Sequence, residues 1–378
     1  MNPYPEKLGE CPIVILCYDF PHRKTNDFIL DLVLGGQKNL IILAAPWRKL
    51  QKQKARVNDP DFVLQAPVYE TRDLCKIFGL PFYSMEHDDL DKISGIVDKY
   101  GVKLALIAGA RILKKEVISA FENGVVNIHP GKLPETSGLD SFFYTIKKGV
   151  PAGVTTHFID SRVDAGNRIG FHELRIGPDD SIETVIENLY QLQRIALRDF
   201  VSILTSGLFP LDPIERPKKN DPMEEEERKT AAAMFPAWRA SQYVNQQTSM
   251  LFDACENGDI SQLKQILERS LAVLNARNER GWTPLIVASF NQRTAAVQYL
   301  LSRGADPNAK GPNGTTPLMY AKTAMLNKPN SSYQLLEILL NGGASANTAD
   351  RYGKTIIDYV KEAGDRRLED FLSKHSGI

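Results

Sequence analysis

The sequence has 378 residues, of which 43% are hydrophobic and 24% charged, and its 46 basic and 46 acidic side chains balance to a net charge of zero. This length suits two or three domains with large cores, and the neutral charge argues against a nucleic-acid binder that depends on neutralising phosphates. No apolar run is long enough to span a bilayer and no secretory signal is readable, so we expect a cytoplasmic protein. The four cysteines lack metal-ligand spacing, which predicts buried thiols and no metal site.

Strands and helices are predicted to alternate through the first 130 residues. Short apolar runs predict buried strands at residues 13–18, 39–45, 104–109 and 125–128, with a weaker fifth at 81–85. Apolar residues at helical spacing predict helices at residues 27–34, 71–78, 88–100 and 114–121. The alternation predicts an α/β fold whose mainly parallel sheet is covered by helices on both faces. Ligands of such sheets bind at the carboxyl ends of the strands, here residues 109–113 and 127–133.

The next segment predicts two shorter strands, at residues 154–159 and 168–174, and then a long helix that opens at Ser181 and runs to about residue 204. Residues 209–247 hold five prolines and a run of four glutamates, which predicts a linker with one short helix near residues 228–234. We therefore expect a first domain at residues 1–207, a linker at 208–247 and a last domain at 248–378.

The last domain repeats itself. The segment Gly281-Trp282-Thr283-Pro284-Leu285 recurs as Gly314-Thr315-Thr316-Pro317-Leu318, and a weaker copy begins at Gly353. The first interval is 33 residues, and the second is longer because residues 325–332 add a loop. This pattern resembles the ankyrin repeat, in which Thr caps the first helix of each unit and Pro occupies its first position. The resemblance implies an all-α ankyrin-repeat domain, with residues 251–267 as its N-terminal capping repeat.

Two polar motifs follow the predicted strands of the first domain. Asn127-Ile128-His129-Pro130 ends one strand, and Asp164-Ala165-Gly166 lies in a loop between two short strands. Alternate residues of a strand share a face, so the side chains of Asn127 and His129 point to the same side. Taken singly, a structural histidine and a loop-capping aspartate are alternative interpretations. The combination favours a catalytic set of amide, imidazole and carboxylate.

Residues 10–207 resemble the glycinamide-ribonucleotide and related formyltransferases, which use N10-formyltetrahydrofolate. Further matching segments are residues 108–113, 134–139 and 157–160, whereas Ser137 stands where many relatives carry Arg. The resemblance implies a Rossmann-like sheet and an enzyme in which Asn127 and His129 stabilise the oxyanion and Asp164 handles protons. It also implies a folate slot, with Arg111, Ile112 and Leu113 on one side and Phe158, Ile159, Asp160 and Val163 on the other.

The acceptor amine is chosen by comparison within that family. A methionyl-tRNA formyltransferase would need a basic C-terminal barrel, and glycinamide ribonucleotide would need a Gly/Ser-rich loop after the first strand, which residues 18–26 lack. Sugar N-formyltransferases with C-terminal ankyrin repeats resemble the whole chain. This implies a dTDP-linked amino-dideoxyhexose as acceptor, more specifically a 3-amino-3,6-dideoxy sugar of bacterial surface polysaccharide. The candidate substrate-binding residues are His22, Arg23, Lys24, Gly131, Lys132, Glu135 and Trp282.

The ankyrin domain leaves three roles open. Repeat arrays bind proteins by default, a second nucleotide sugar can stack on Trp282, and the repeats can cover an edge or an interface of a homodimer. An ankyrin scaffold with a vestigial formyltransferase domain is the rival interpretation of the whole chain. We expect a small-molecule nucleotide sugar as substrate, with neither nucleic acid nor membrane as partner.

Overall fold

The computed structural model describes residues 12–47, 69–110, 112–162, 164–206, 211–215, 220–326 and 333–375. Contacts divide the chain into two compact units, Met1–Ala240 and Ser241–Ile378. The domain boundaries at residues 207 and 247 stay a prediction.

The first unit contains one mixed sheet. Its strands are β1 (Ile13–Tyr18), β2 (Leu40–Ala45), β3 (Phe82–Ser84), β4 (Leu104–Ile107), β5 (Val125–His129), β6 (Gly153–Ile159), β7 (Gly166–Glu173) and β8 (Asp212–Ile214). They lie in the order β3-β2-β1-β4-β5-β6-β7-β8. Pairs within the first five strands are parallel, and the pairs from β5 to β8 are antiparallel. The predicted α/β class with a mainly parallel sheet is confirmed.

Helices cover both faces of this sheet. They are α1 (Arg23–Leu34), α2 (Thr71–Phe78), α3 (Leu90–Tyr100), α4 (Lys115–Ser119), α5 (Ser141–Lys148) and α6 (Ile182–Ser206). Alternate residues of β1 belong to two separate cores, since Ile13 and Ile15 lie in one and Val14 and Leu16 in the other. A strand buried on both faces reads as a continuous apolar run, which is why β1, β2 and β4 were predictable.

Residues 220–240 differ from the predicted linker. A 33-residue helix, α7 (Glu225–Asn257), replaces the single short helix expected near residues 228–234, and Pro236 lies inside it. Phe235 and Trp238 are buried on α7 and pack on Phe142 of α5, while the Trp238 indole donates to the Val150 carbonyl at 3.1 Å. An internal proline costs a helix about 3 kcal/mol, and burial of two aromatic side chains offsets that cost. The linker prediction was wrong here because it weighed proline content above tertiary packing.

The second unit is all helical. After α7 come α8 (Ile260–Arg269), α9 (Pro284–Phe290), α10 (Thr294–Ser302), α11 (Pro317–Leu326), α12 (Gln334–Asn341), α13 (Ile356–Ala363) and α14 (Arg366–His375). The Thr283 side chain accepts from the Ile286 N–H, with Pro284 at the first helical position, and Thr355 forms a capping box with Asp358. The repeated motif therefore has the capping role that the sequence predicts. Residues 327–332, within the predicted extra loop, lie outside the described residues.

In the described part of the chain, no helix combines the length and apolarity required to cross a membrane. Cys17, Cys75 and Cys255 are buried free thiols there. Nor do the described residues bring together three His, Cys, Asp or Glu side chains able to hold a metal ion.

Candidate active site

The two predicted catalytic motifs meet beside the end of β5. His129, the last residue of that strand, is 4% exposed, and its Nδ1 lies 3.6 Å from Asp164 Oδ1. Asp164 adopts a left-handed conformation, with φ of 52°, two residues before β7 begins. An aspartate tolerates this conformation better than most residues. Sheet topology thus brings an imidazole and a carboxylate 35 residues apart in the chain into one site.

The loop after β5, residues 130–140, holds both groups. Thr136 presents its carbonyl oxygen 3.1 Å from His129 Nε2. A carbonyl only accepts, so Nε2 carries the proton and Nδ1 faces the carboxylate of Asp164. On the other side, the Gly138 N–H donates to Asp164 Oδ2 at 2.6 Å. The 130–140 loop therefore fixes the orientation of His129 and Asp164 together.

A second histidine orients the Asn127 amide. His157 on β6 pairs with Asn127 across the strands, and its Nδ1 lies 3.3 Å from the Ala165 carbonyl, so Nδ1 carries the proton. Its Nε2 is then an acceptor, which faces the Asn127 Nδ2 at 3.5 Å. Burial lowers the pKa of His157 to about 4, so the ring stays neutral near pH 7. One amide hydrogen of Asn127 is held by His157, and the other is left for a ligand.

Burial and nearby charged groups shift the pKa of His129. Burial lowers the pKa of its imidazole, the carboxylate of Asp164 and the Thr136 carbonyl oppose that shift, and the ammonium of Lys24 adds to it. Lys24 Nζ donates to the Ile128 carbonyl at 3.1 Å, between the two catalytic side chains on β5. Burial also lowers the pKa of Lys24 to about 8. Lys24 was predicted as a substrate contact, and the structure places its charge beside the catalytic strand.

Two substitutions are expected to move the pKa of His129 in opposite directions. Lys24→Met removes a positive charge that disfavours the imidazolium, so the pKa rises, whereas Asp164→Asn removes the stabilising carboxylate, so the pKa falls further. Titration of 13C-labelled histidine followed by NMR measures both shifts, with the resonance assigned through His129→Gln. Shifts of the same sign in the two variants would contradict this electrostatic assignment.

His22 and Arg23, the two other predicted substrate contacts near the start of α1, form hydrogen bonds within the protein. His22 Nδ1 accepts from the Thr25 N–H at 3.2 Å and caps α1, and burial lowers the pKa of His22 to about 4. Arg23 forms a bidentate pair with Glu187 of α6, at 2.7 and 2.6 Å, and lies over the Tyr190 ring at 4.0 Å. The prediction that Arg23 binds substrate is therefore not supported, because its guanidinium already ties α1 to α6.

Arg23→Gln is expected to reduce stability without changing substrate affinity. Loss of the charged hydrogen bonds to Glu187 should lower the free energy of unfolding by about 1–2 kcal/mol, measured by urea denaturation. KM values for both substrates should stay within about twofold of the original, since the guanidinium faces α6. A large increase in KM with unchanged stability would restore Arg23 as a substrate contact.

The described residues of the predicted folate slot include both exposed and buried side chains. Ile112 is 73% exposed after β4 and presents an apolar surface, whereas Leu113 is buried in the core. Phe158 is also buried, and it packs over Gly124 in the core, so its predicted contact with the cofactor is not supported. Asp160 accepts hydrogen bonds from Arg162, and Ile159 is half-buried at the end of β6. Arg111 and Val163 lie outside the described residues.

The predicted sugar-contact residues lie in the 130–140 loop, with one exception. A Cβ on Gly131 would come within 2.1 Å of Thr136 Oγ1 and 3.1 Å of His129 Nε2, so Gly131 supports the imidazole rather than facing substrate. Lys132 Nζ and Glu135 Oε1 are 3.7 Å apart and half-exposed. Trp282, the exception, lies in the second unit. Its half-buried ring contacts the rings of Phe290 and Tyr320.

Four positions in this neighbourhood were given no role from the sequence, although three of them lie in the segments matched to the family. They are His157, Thr136, Gly138 and Asn220, which contact the catalytic side chains or the 130–140 loop. His157 could have been identified from the sequence, because it is an ionisable residue within the predicted strand at residues 154–159. Thr136 and Gly138 act through backbone atoms, which leave no mark in side-chain patterns.

Comparison with known proteins identifies a family for each part of the chain. The formyl transferase family matches residues 39–201, and an ankyrin-repeat family of three copies matches residues 251–350. Phosphoribosylglycinamide formyltransferase of Bacillus subtilis (strain 168) is 31% identical over 140 residues, which cover 35% of this chain and 72% of that protein. Methionyl-tRNA formyltransferase of Thermodesulfovibrio yellowstonii is 29% identical over 163 residues, covering 42% of this chain and 49% of that protein.

Among solved structures, a sugar N-formyltransferase from Shewanella sp FDAARGOS_354 is similar, with 18% identity and a TM-score of 0.41 over 59% of this chain and 87% of that one. The chain spans about half the length of the methionyl-tRNA enzyme and nearly three quarters of the Bacillus enzyme. The protein belongs to the formyltransferase family of formyl-transferring enzymes and carries ankyrin repeats after its formyltransferase domain.

Proposed function

We propose that the protein transfers a formyl group from N10-formyltetrahydrofolate to the amino group of a dTDP-linked amino-dideoxy sugar, specifically a 3-amino-3,6-dideoxyhexose. The observation that carries the transfer reaction is the assembly of Asn127, His129 and Asp164 around the end of β5, with the 3.6 Å approach of His129 to Asp164. The acceptor rests on the departure of the α1 region from a phosphate-binding loop and on the attached ankyrin repeats.

The site supplies the groups that acyl transfer to an amine requires. The amine nitrogen forms a bond to the formyl carbon, and negative charge develops on the formyl oxygen. The free amide hydrogen of Asn127 donates to that oxygen, and such a donor contributes about 3–4 kcal/mol when judged by deletion. His129, whose two ring nitrogens face Thr136 and Asp164, stabilises the charge electrostatically in its protonated form. His157 keeps the Asn127 amide in the donating orientation.

Asp164 handles the proton in this proposal. As the C–N bond forms, the acceptor nitrogen loses a proton to Asp164, directly or through a water molecule. The bond between the formyl carbon and N10 then breaks, and a proton passes to N10, so that the products are the formylated amine and tetrahydrofolate. The Gly138 N–H holds Asp164 Oδ2, which leaves Oδ1 for the acceptor and for His129.

The formyl donor would lie beside the ends of β4 and β6. The exposed Ile112 would offer an apolar wall for the pterin ring, and we assign Ile159 and the backbone around Asp160 to the other side of the slot. The buried side chains of Leu113 and Phe158 would act by supporting its floor rather than by contact.

The α1 region argues against a ribonucleotide monophosphate as acceptor. Residues 18–26 contain no glycine or serine, and the N-terminus of α1 is capped by the His22 side chain. Tyr18 and Phe20 stack at 4.9 Å in the same loop, and a Cβ on Gly109 would come within 2.9 Å of Tyr18. This segment therefore lacks the glycine-rich run of backbone amides that cradles a phosphate, and it carries aromatic rings instead.

Glycinamide ribonucleotide remains the second candidate, because the Bacillus relative that is 31% identical carries phosphoribosylglycinamide in its name. An acceptor panel separates the two. Purified protein is incubated with N10-formyltetrahydrofolate and with 3-amino and 4-amino dTDP sugars, a UDP amino sugar or glycinamide ribonucleotide, and products are weighed by mass spectrometry. Formylation of the 3-amino dTDP sugar alone supports the proposal, and formylation of glycinamide ribonucleotide alone overturns it.

For the ankyrin domain we propose protein binding, with a second nucleotide-sugar site at Trp282 as the alternative. The Trp282 and Tyr320 ring centroids are 4.7 Å apart, and the Arg280 guanidinium lies over the Trp282 ring at 5.7 Å. The indole suits a nucleobase and the guanidinium suits a phosphate. Isothermal titration of the sugar nucleotide distinguishes them. Two binding events that become one in Trp282→Ala would favour the nucleotide site over the protein-binding role.

A further inference from the structure

The segment before α7 lies across the outer side of the 130–140 loop. The backbone N–H of Asn220 donates to the Ser137 carbonyl at 3.1 Å, and its side-chain Nδ2 donates to the carbonyls of Ser137, at 2.8 Å, and Glu135, at 3.1 Å. Asn220 also forms a parallel bridge with Gly138. One asparagine therefore holds two backbone carbonyls of the loop, those of Glu135 and Ser137, and pairs with Gly138 beside them.

Lys148, at the end of α5, adds a second contact to the same point. Its Nζ donates to the Glu135 carbonyl at 2.6 Å and to Asn220 Oδ1 at 2.7 Å. Burial lowers the pKa of this ammonium group. Asn220 and Lys148 thus share the Glu135 carbonyl and bind each other. Neither residue was singled out by the sequence.

The inner side of the same stretch carries the contacts to the catalytic groups. The Thr136 carbonyl lies on His129 Nε2, and the Gly138 N–H lies on Asp164 Oδ2. Thr136 is placed between the two carbonyls that Asn220 holds, and Gly138 follows directly after the second. A displacement of residues 135–137 would therefore alter both the tautomer of His129 and the orientation of Asp164.

We propose that Asn220, together with Lys148, is a positioning residue of the formyl-transfer site, which acts by holding residues 135–138 against His129 and Asp164. The inference rests on the roles of His129 and Asp164 given under the proposed function. It adds a dependence of catalysis on residues 220–228, which follow the sheet in the chain and precede the ankyrin repeats. Backbone atoms carry the effect, so neither Asn220 nor Lys148 has to touch a substrate.

Further contacts join the same two segments. The Met223 N–H donates to Asp140 Oδ2 at 3.1 Å, and Arg228 Nε lies 3.2 Å from Asp140 Oδ1. Lys147 pairs with Glu227 at 3.1 Å in an exposed position. Because Lys147 and Glu227 reach no atom of residues 135–138, their pair serves as a matched control. It lies between the same elements, and it lacks the proposed link to the catalytic groups.

The test uses Asn220→Asp, Asn220→Ala and Lys148→Met, with Lys147→Ala as control, in the full chain. Asn220→Asp keeps the size and the acceptor for Lys148 but replaces the donor to the two carbonyls by a carboxylate oxygen. We expect each test variant to lower kcat roughly tenfold, corresponding to one lost hydrogen bond, with KM values within about twofold of the original. The control should leave both constants unchanged.

A second measurement reports on positioning without any substrate. The groups that face His129 are Asp164, Lys24, His157 and the Thr136 carbonyl. Replacing Asn220 releases the Thr136 carbonyl and loosens the Gly138 contact to Asp164, and both groups raise the pKa of His129, so its NMR titration should move to lower pH. Thermal unfolding of each variant shows whether the chain remains folded.

The outcomes separate this inference from the proposed acceptor. A lower kcat together with a moved His129 titration, in a folded variant, supports the positioning role. An unmoved titration and an unchanged kcat overturn it, even where the melting temperature falls, because the contacts would then be structural only. A moved titration in a protein that formylates no panel acceptor would retain the positioning role and reject the proposed acceptor.

Discussion

Replacing Asp164 by Asn is expected to lower kcat for formyl transfer by about 10²–10⁴-fold. The amide keeps the shape of the carboxylate but accepts no proton at neutral pH, so the acceptor nitrogen loses its proton acceptor. KM values should change much less than kcat, because the lost interaction develops in the transition state. Initial rates measured by release of tetrahydrofolate give both constants.

Asp199→Asn is the matched control for this substitution. Asp199 is also an aspartate of the first unit, and its carboxylate lies 3.0 Å from His172 Nε2 in an exposed position. The control should retain its full rate. If Asp164→Asn were equally active, the assignment of proton transfer to the site beside His129 would be wrong.

Asn127→Ala is expected to produce the second large loss, about 10²–10³-fold in kcat, because one preorganised donor to the formyl oxygen is removed. His157→Ala should lower kcat less, since it leaves the amide in place and removes only the acceptor that orients it. Stopped-assay rates at saturating substrate measure the two effects.

Asn167→Ala provides the comparison for this pair. Asn167 is exposed on β7 and pairs with Phe158 across the strands, so its removal should not change the rate. A His157→Ala loss larger than that of Asn127→Ala would contradict the view that His157 acts through Asn127. It would assign His157 a direct role instead.

The parallel half of the fold was predictable because its strands are buried on both faces. The runs that become β1, β2 and β4 are continuous and apolar, and the segments between the strands carry helical spacing. The long helix α6 was equally predictable, since Ser181 caps it and accepts from the Thr184 N–H at 3.2 Å. Local signals and tertiary packing agree in these elements.

Other elements depend on contacts that a single sequence does not display. Helix α5 follows an aspartate with φ of 58°, Asp140, and gains its stability from packing on α7. Helix α7 contains Pro236 and five acidic or basic residues in its first turn and a half, which together predict a linker. In both cases tertiary packing overrides weak local propensity.

The sequence points to the proposed catalytic side chains, whereas it does not display the residues that support them. Asn127, His129 and Asp164 form a recognisable spacing, and strand alternation places the first two on one side. Arg23 was assigned to the substrate on its charge and its position after the first strand, although Glu187, 164 residues away, accepts from both of its terminal guanidinium nitrogens. Long-range pairs of this kind, like the Asn220 contacts to the 130–140 loop, require the fold before they can be identified.

The most direct measurement follows an isotopic label through the proposed reaction. Protein is incubated with N10-[13C]formyltetrahydrofolate and the 3-amino-3,6-dideoxy dTDP sugar, and the product is examined by NMR and mass spectrometry. The account predicts a 13C-labelled formamide on the sugar nitrogen, formed by the native protein and absent with Asp164→Asn. A label that stays on the folate, or a formamide formed equally by Asp164→Asn, would contradict it.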